Sequence, residues 1–578
     1  MKKVIVYLKY AAGHLTLSIV FLIIQALTEL LLPSMMSEMV DVGILGLNGQ
    51  DGQMQYILTK GLQMLGMALL CVAAAIAVSY FATKSSAIIS RRMRHDVFKR
   101  VTEFSNTEFD KFSTASLITR TTNDIQQIQQ ILSGVRFLFF APVMAIGSIT
   151  LALLKSTSIS WILAVAVGFL LTLIAVGFSV AMPKIKIIQS LIDRLNLVSR
   201  ENLSGMMVIR AFGNEKYEEE RFRTANNNMR KTNLFIQRTM ALLQPFMTII
   251  MNFTSLAVVW LGSKAIINST FEIGDMLAYI QYAMHVIMSF LFISIIFINI
   301  PRAMISINRV GDILNTEPTI KNNEGAKKLV MPKGRIEFKN VSFKYKDADD
   351  CVLTDISFTA LPGQTTAFIG STGSGKSTLI NLIPRFYDVT EGSITYDDTD
   401  IRKLDLESLR QNIGYVPQKG VLFKGTVESN LKTGNQNADS DTISSALTTA
   451  QARFVADMDN GIQSEISQGG TNVSGGQRQR LSIARALVKK APVYIFDDSF
   501  SALDLKTDAA LRKALKGYTK DATVLIVAQR VSTIMNAEQI IVLDEGRIVG
   551  KGTHKELLKS CTQYREIAES QLAKEELE

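Results

Sequence analysis

From Gly370 to Thr378 the chain reads Gly370-Ser371-Thr372-Gly373-Ser374-Gly375-Lys376-Ser377-Thr378, the G-x-x-x-x-G-K-[ST] spacing of a phosphate-binding loop. Glycines at these spacings let backbone N–H groups converge on phosphate oxygens, and a helix start adds partial positive charge. Lys376 has the reach for β and γ phosphates, and the Ser377 hydroxyl suits Mg2+. A second acid-bearing segment, Val493-Tyr-Ile-Phe-Asp497, is an apolar run ending in a carboxylate, the pattern for holding Mg2+ through water. Farther along the chemistry repeats: Asn472-Val-Ser474-Gly475-Gly476-Gln477 puts a hydroxyl and two glycines at the start of the helix-forming run Arg478–Ala486, again offering donors to an anionic oxygen.

These residues need rigid elements behind them. Thr365–Ile369 is predicted as a buried strand and Lys376–Ile383 as a helix that stops before Pro384, which gives the strand, turn and helix order a phosphate loop requires. Arg335–Tyr345 alternates like a strand, and its terminal Tyr345 suits either stacking on a purine ring or a place in the core. Thr316-Glu-Pro-Thr and the charged stretch to Gly334 read as a linker, so a soluble α/β domain is expected over 335–578.

The first 315 residues differ. The chain is 47% hydrophobic over 578 residues, too long for one core, and the apolar residues crowd into this part. Six stretches, about 15–38, 58–82, 136–155, 159–181, 243–267 and 276–300, are long enough to cross roughly 30 Å of hydrocarbon. An all-helical membrane domain is therefore expected over 1–315. Lys2, Lys3 and Lys9 before the first span, Lys84 to Arg100 after the second and Lys184 to Arg200 after the fourth place those segments on the cytoplasmic side. Much of the +10 net charge sits there, and without a base-stacking or groove-reading motif it gives no reason to expect nucleic acid. Cys71, Cys351 and Cys561 are far apart and support neither a disulfide framework nor a zinc site.

Both cytoplasmic connections are long, polar and helix-forming, with Pro183 the exception. Polar residues within the spans, Gln25, Glu29, Asn252, Tyr279, Gln281, Tyr282 and His285, face either a cavity or a neighbouring helix; Glu29 is the ionisable one with most to lose in lipid.

Taken together, the motifs resemble those of half-size ABC exporters across essentially the whole chain. Ser474-Gly475-Gly476-Gln477 matches the signature of that family, Tyr415-Val-Pro-Gln418 its Q-loop, Ser501-Ala-Leu-Asp504 its D-loop, and Tyr345 its adenine-stacking tyrosine. Phe109–Asp124 and Glu201–Phe212 resemble its intracellular loops, whose short coupling helices dock on the nucleotide-binding domains. The resemblance implies a type I exporter fold, binding of ATP and Mg2+ (the metal through Ser377, Gln418 and Asp497), and a dimer in which Ser474 faces the ATP of the other subunit.

Departures from the pattern are as informative. Asp498 stands where the family has the glutamate that polarises attacking water, Gln529 replaces the switch histidine, and Gln468 replaces a glutamate ahead of the signature. Asp498, Gln529 and Gln418 are the candidate catalytic residues, and the changes at 498 and 529 imply a weakly hydrolytic site. The expectation is one subunit of a heterodimeric multidrug exporter of the bacterial cell membrane, with a non-identical half-transporter as partner and amphipathic small molecules and membrane lipid as contacts. Alternatives are a lipid, peptide or siderophore transporter, or a nucleotide-gated regulatory membrane protein; ATP-dependent accumulation of a dye in inverted vesicles separates pumping from gating.

Overall fold

The computed structural model describes residues 6–46, 54–346 and 348–572, so that Lys2, Lys3, part of the connection between the first two spans and the last six residues lie outside it. The chain divides into two compact units, one of Met1–Thr102 with Thr114–Thr316, the other of Glu103–Ser113 with Glu317–Glu578.

The first unit is helical. Among the described residues, six helices in it are long and apolar enough to span a membrane: Val6–Ile44, Met54–Thr102, Thr114–Lys155, Ser160–Ser204, Glu215–Ile267 and Ile273–Ile293. Their lengths reflect uninterrupted helix-forming sequence beyond the apolar stretch, and Pro142, Pro183 and Pro245 are carried inside helices. Long helices in an apolar setting tolerate proline because neighbouring groups re-satisfy the freed carbonyl. The first span packs along the second, the third along the sixth, and the fourth along the fifth. At one end, Asp41 accepts the Gly274 N–H at 2.6 Å, and Asp275 pairs with Lys155 Nζ at 2.5 Å, joining the ends of the first, third and sixth spans.

The second unit includes a short helix, Asn106–Phe112, that the sequence places between spans. Ser105 and Glu108 close a reciprocal capping box at its start, and Phe104 stacks on Phe112 with ring centroids 5.8 Å apart. The buried Glu108 also accepts from Thr319, whose backbone N–H lies 3.2 Å away. Four-stranded and six-stranded sheets form the bulk of the unit. Its strands are β1 (Ile336–Phe343), β2 (Leu353–Ala360), β3 (Thr365–Gly370), β4 (Glu391–Tyr396), β5 (Thr399–Asp400) and β6 (Ile413–Val416). There follow β7 (Gly425–Thr426), β8 (Glu465–Ile466), β9 (Val493–Asp497), β10 (Thr523–Val527), β11 (Gln539–Asp544) and β12 (Arg547–Gly552).

The smaller antiparallel sheet runs β2-β1-β4-β5, and the larger runs β12-β11-β3-β10-β9-β6. From β11 to β6 every pairing in the larger sheet is parallel. Parallel strands covered on both faces read as continuous apolar runs, and Val493-Tyr-Ile-Phe-Asp497 and Thr523-Val-Leu-Ile-Val527 are buried throughout.

Candidate nucleotide site

Parallel pairing carries a functional consequence: adjacent strands end on the same side, where open α/β sheets hold their ligands. Here β3, β6, β9 and β10 deliver the phosphate loop, Gln418, the Asp497–Asp498 pair and Gln529 to that edge.

β3 turns at Gly370, where a Cβ would come within 2.0 Å of Leu543 O on β11, so only glycine lets these strands stay paired at that point. Gly375, the residue before the helix Lys376–Leu382, has φ +91° and space closed by Leu353 and Val352. A side chain there would be strained by both backbone and contact. Lys376 Nζ donates to Gly370 O at 2.9 Å, Ser371 O at 2.6 Å and Ser374 Oγ at 3.2 Å. All three are neutral oxygens, and burial lowers the Lys376 pKa. Phosphate oxygens would replace these acceptors with charged ones and strengthen each bond, so the loop fits an anionic ligand.

Ser377 Oγ donates to Asp497 Oδ1 at 2.8 Å, bringing together two oxygen ligands of the kind Mg2+ prefers. Gln418, grouped with them from the sequence, instead directs Nε2 at Asp498 Oδ2, 3.4 Å away. Gln529 Nε2 donates to the same oxygen at 2.7 Å. Asp498 is buried, has φ +45°, and is held by its own N–H on Val527 O at 3.0 Å. Burial is the chief cause of the raised pKa of both Asp497 and Asp498.

A cleft of about 550 Å³ gathers the phosphate loop with Gln418, Asp498 and Gln529. Ile567, Ser570 and Gln571, near the C-terminus, form another part of its wall. They carry no motif, and sequence reasoning did not find them. Tyr345 lies past the end of β1, with its hydroxyl 3.0 Å from Thr378 Oγ1 and its ring edge-on to Phe343 and Tyr387.

Ser474, Gly475, Gly476 and Gln477 do not join this group: among the described residues, none of them lines the cleft. Ser474 instead caps the helix Gly475–Leu487, its Oγ accepting from Gln477 N at 3.2 Å while Gln477 Oε1 accepts from Ser474 N at 2.8 Å. Asp504 likewise caps Leu505–Tyr518.

Comparison with known proteins follows the same division of the chain. Residues 15–290 match the ABC transporter transmembrane region, and residues 353–501 match the ABC transporter family. An uncharacterized ABC transporter ATP-binding protein of Mycobacterium tuberculosis is 38% identical, over 95% of this chain and 94% of its own length. An ATP-dependent lipid A-core flippase of Photobacterium profundum is 29% identical over 97% of this chain and 96% of its own. The solved structure of a bacterial Atm1-family ABC exporter with ATP bound superposes with a TM-score of 0.78 at 24% identity, covering 97% of this chain and 99% of that one.

Proposed function

Because the chain belongs to the ABC transporter family, as a half-size exporter with six membrane-spanning helices and one ATPase domain, we propose that it is one subunit of a heterodimeric exporter of amphipathic compounds and carries the weaker of two ATP sites. The observation that carries this reading is the arrangement around Asp498. Its Oδ2 receives amide donors from both Gln529 and Gln418. An aspartate also stops one methylene, about 1.5 Å, short of where a glutamate would reach, and misplacement near 1 Å can cost about 10²-fold in rate. Gln529 supplies the hydrogen bond of a switch histidine without its capacity to carry charge, and losing that stabilisation costs a similar factor. The two effects together bound the loss at about 10⁴, or about 5.5 kcal/mol of barrier, since neighbouring groups are not additive.

Ser474 keeps its capping geometry, which supports a role in the ATP site of a partner. In this reading the Lys- and Arg-rich segments, the N-terminus and the ATPase domain are cytoplasmic, and the protein resides in the cell membrane. Purified alone, the chain should hydrolyse ATP at least about 100-fold more slowly per site than when assembled with a non-identical half-transporter. Vigorous, substrate-stimulated turnover by a homodimer would refute the assignment.

Cargo is tested at Glu29, half-buried in the first span one turn beyond Gln25. Glu29→Gln should reduce export of cationic compounds and spare neutral ones. Equal loss of both classes would mean structural damage. A second reading, lipid as cargo, is favoured by the similarity to lipid A-core flippases. In that case Glu29→Gln leaves flux of an anionic lipid undiminished.

A further inference from the structure

The loop that carries Gln529 has little backbone support from the sheet. Ala528 N still bonds to Phe368 O at 3.1 Å, after which the chain leaves β10 and enters the four-residue helix Val531–Ile534. The first N–H groups of a helix have no acceptor within it and must find one elsewhere. Val531 N–H finds Gln571 Oε1 at 2.8 Å, while Nε2 of that same side chain donates to Gln529 O at 2.9 Å. One primary amide thus spans the loop on both sides of Arg530. Such a clasp requires a donor and an acceptor on one planar group, which a carboxylate or an ammonium does not offer.

We infer that Gln571 is a positioning residue for ATP hydrolysis, fixing the backbone of Gln529 so that its side chain stays on Asp498. The residue is well anchored for this task. It follows the helix Thr562–Glu569, its own N–H bonds to Ala568 O at 3.0 Å, and Ile567 and Leu572 on either side pack against the apolar core. The helix is pinned in turn by the buried Tyr564, whose hydroxyl lies 2.6 Å from His554 Nδ1. The inference rests on reading the cleft as an ATP site, and it extends the hydrolytic machinery to the C-terminal helix.

The test is single-turnover hydrolysis of radiolabelled ATP by the assembled full-length transporter, read in the slow phase, or in the only phase if both sites are alike. Gln571→Leu should slow that phase about tenfold, equivalent to about 1.4 kcal/mol, with half-saturating ATP changed less than about twofold. In a Gln529→Ala background the same substitution should add less than about twofold, because the group it positions is gone. Deuterium exchange over residues 529–534 should rise in Gln571→Leu while that of β9 does not. Gln571→Glu, which keeps the acceptor for Val531 and loses the donor to Gln529, should fall between, and it carries the same cycle if the leucine variant does not fold. Equal slowing with and without Gln529, an unchanged rate, or a rise in half-saturating ATP that matches the loss of rate would each overturn the inference. A wild-type protein that retains no ATP would overturn the nucleotide reading instead, and unchanged exchange over 529–534 would then overturn the clasp by itself.

Discussion

Ser474→Arg should reduce steady-state ATP hydrolysis by the assembled transporter at least about 100-fold, whereas Lys376→Ala should leave a substantial part of it. The asymmetry follows from which residues share a site. Lys376 sits in the cleft with Asp498 and Gln529, and Ser474 does not. If a partner supplies the competent acid and switch residue, the fast site uses this chain's signature, and Lys376 serves only the slow one. Arginine at 474 removes the oxygen that accepts Gln477 N–H, a capping loss of about 1 kcal/mol, and puts a bulky cation where backbone must approach phosphate. Asp498→Asn should likewise change total turnover little. Hydrolysis at saturating ATP decides the matter: if Lys376→Ala or Asp498→Asn silences the complex as fully as Ser474→Arg, the two sites are not divided in this way.

Asp498→Glu combined with Gln529→His should raise the ATPase rate of the chain purified alone by about 10² to 10⁴. Glutamate extends the carboxylate past the point where both amides hold Asp498 Oδ2, and histidine restores a donor that can carry charge. The gain should fall short of the upper figure because residue 498 has φ +45°, a conformation that aspartate adopts more readily than glutamate. Neither single variant should reach the rate of the pair. A double variant no faster than wild type would mean that residues 498 and 529 do not limit hydrolysis at this site.

Much of the site was legible because its supports are local. Thr365-Thr-Ala-Phe-Ile369 and Val493–Asp497 read as buried strands, and the G-x-x-x-x-G-K-[ST] spacing after the first calls for a turn into a helix, although their parallel pairing is not in the pattern. The six spans follow from length. What sequence pattern does not convey is the partner across a long separation. The clasp of Gln571 on Gln529 joins residues 42 apart with no motif at either end. That Asn106–Phe112 belongs with the second unit is anticipated only by the family resemblance of Phe109–Asp124, because amphipathicity fixes which face is buried and not what covers it. Gln418 is a third case: its loop was recognisable, yet whether its amide would turn to the metal ligands or to Asp498 depends on the registry of β6 against β9.

The bond between Glu108 and Thr319 also sets a clock. The two residues are 211 positions apart, and synthesis at roughly 5–20 residues per second separates their appearance by roughly 10–40 s. Through that interval one carboxylate oxygen of Glu108 can accept from the Ser105 cap, while the other still awaits the Thr319 N–H. Four further spans are made in the meantime. Glu103–Ser113 is thus a segment of the last-finished unit that the ribosome delivers early, with the bond from Thr319 to Glu108 still to be made.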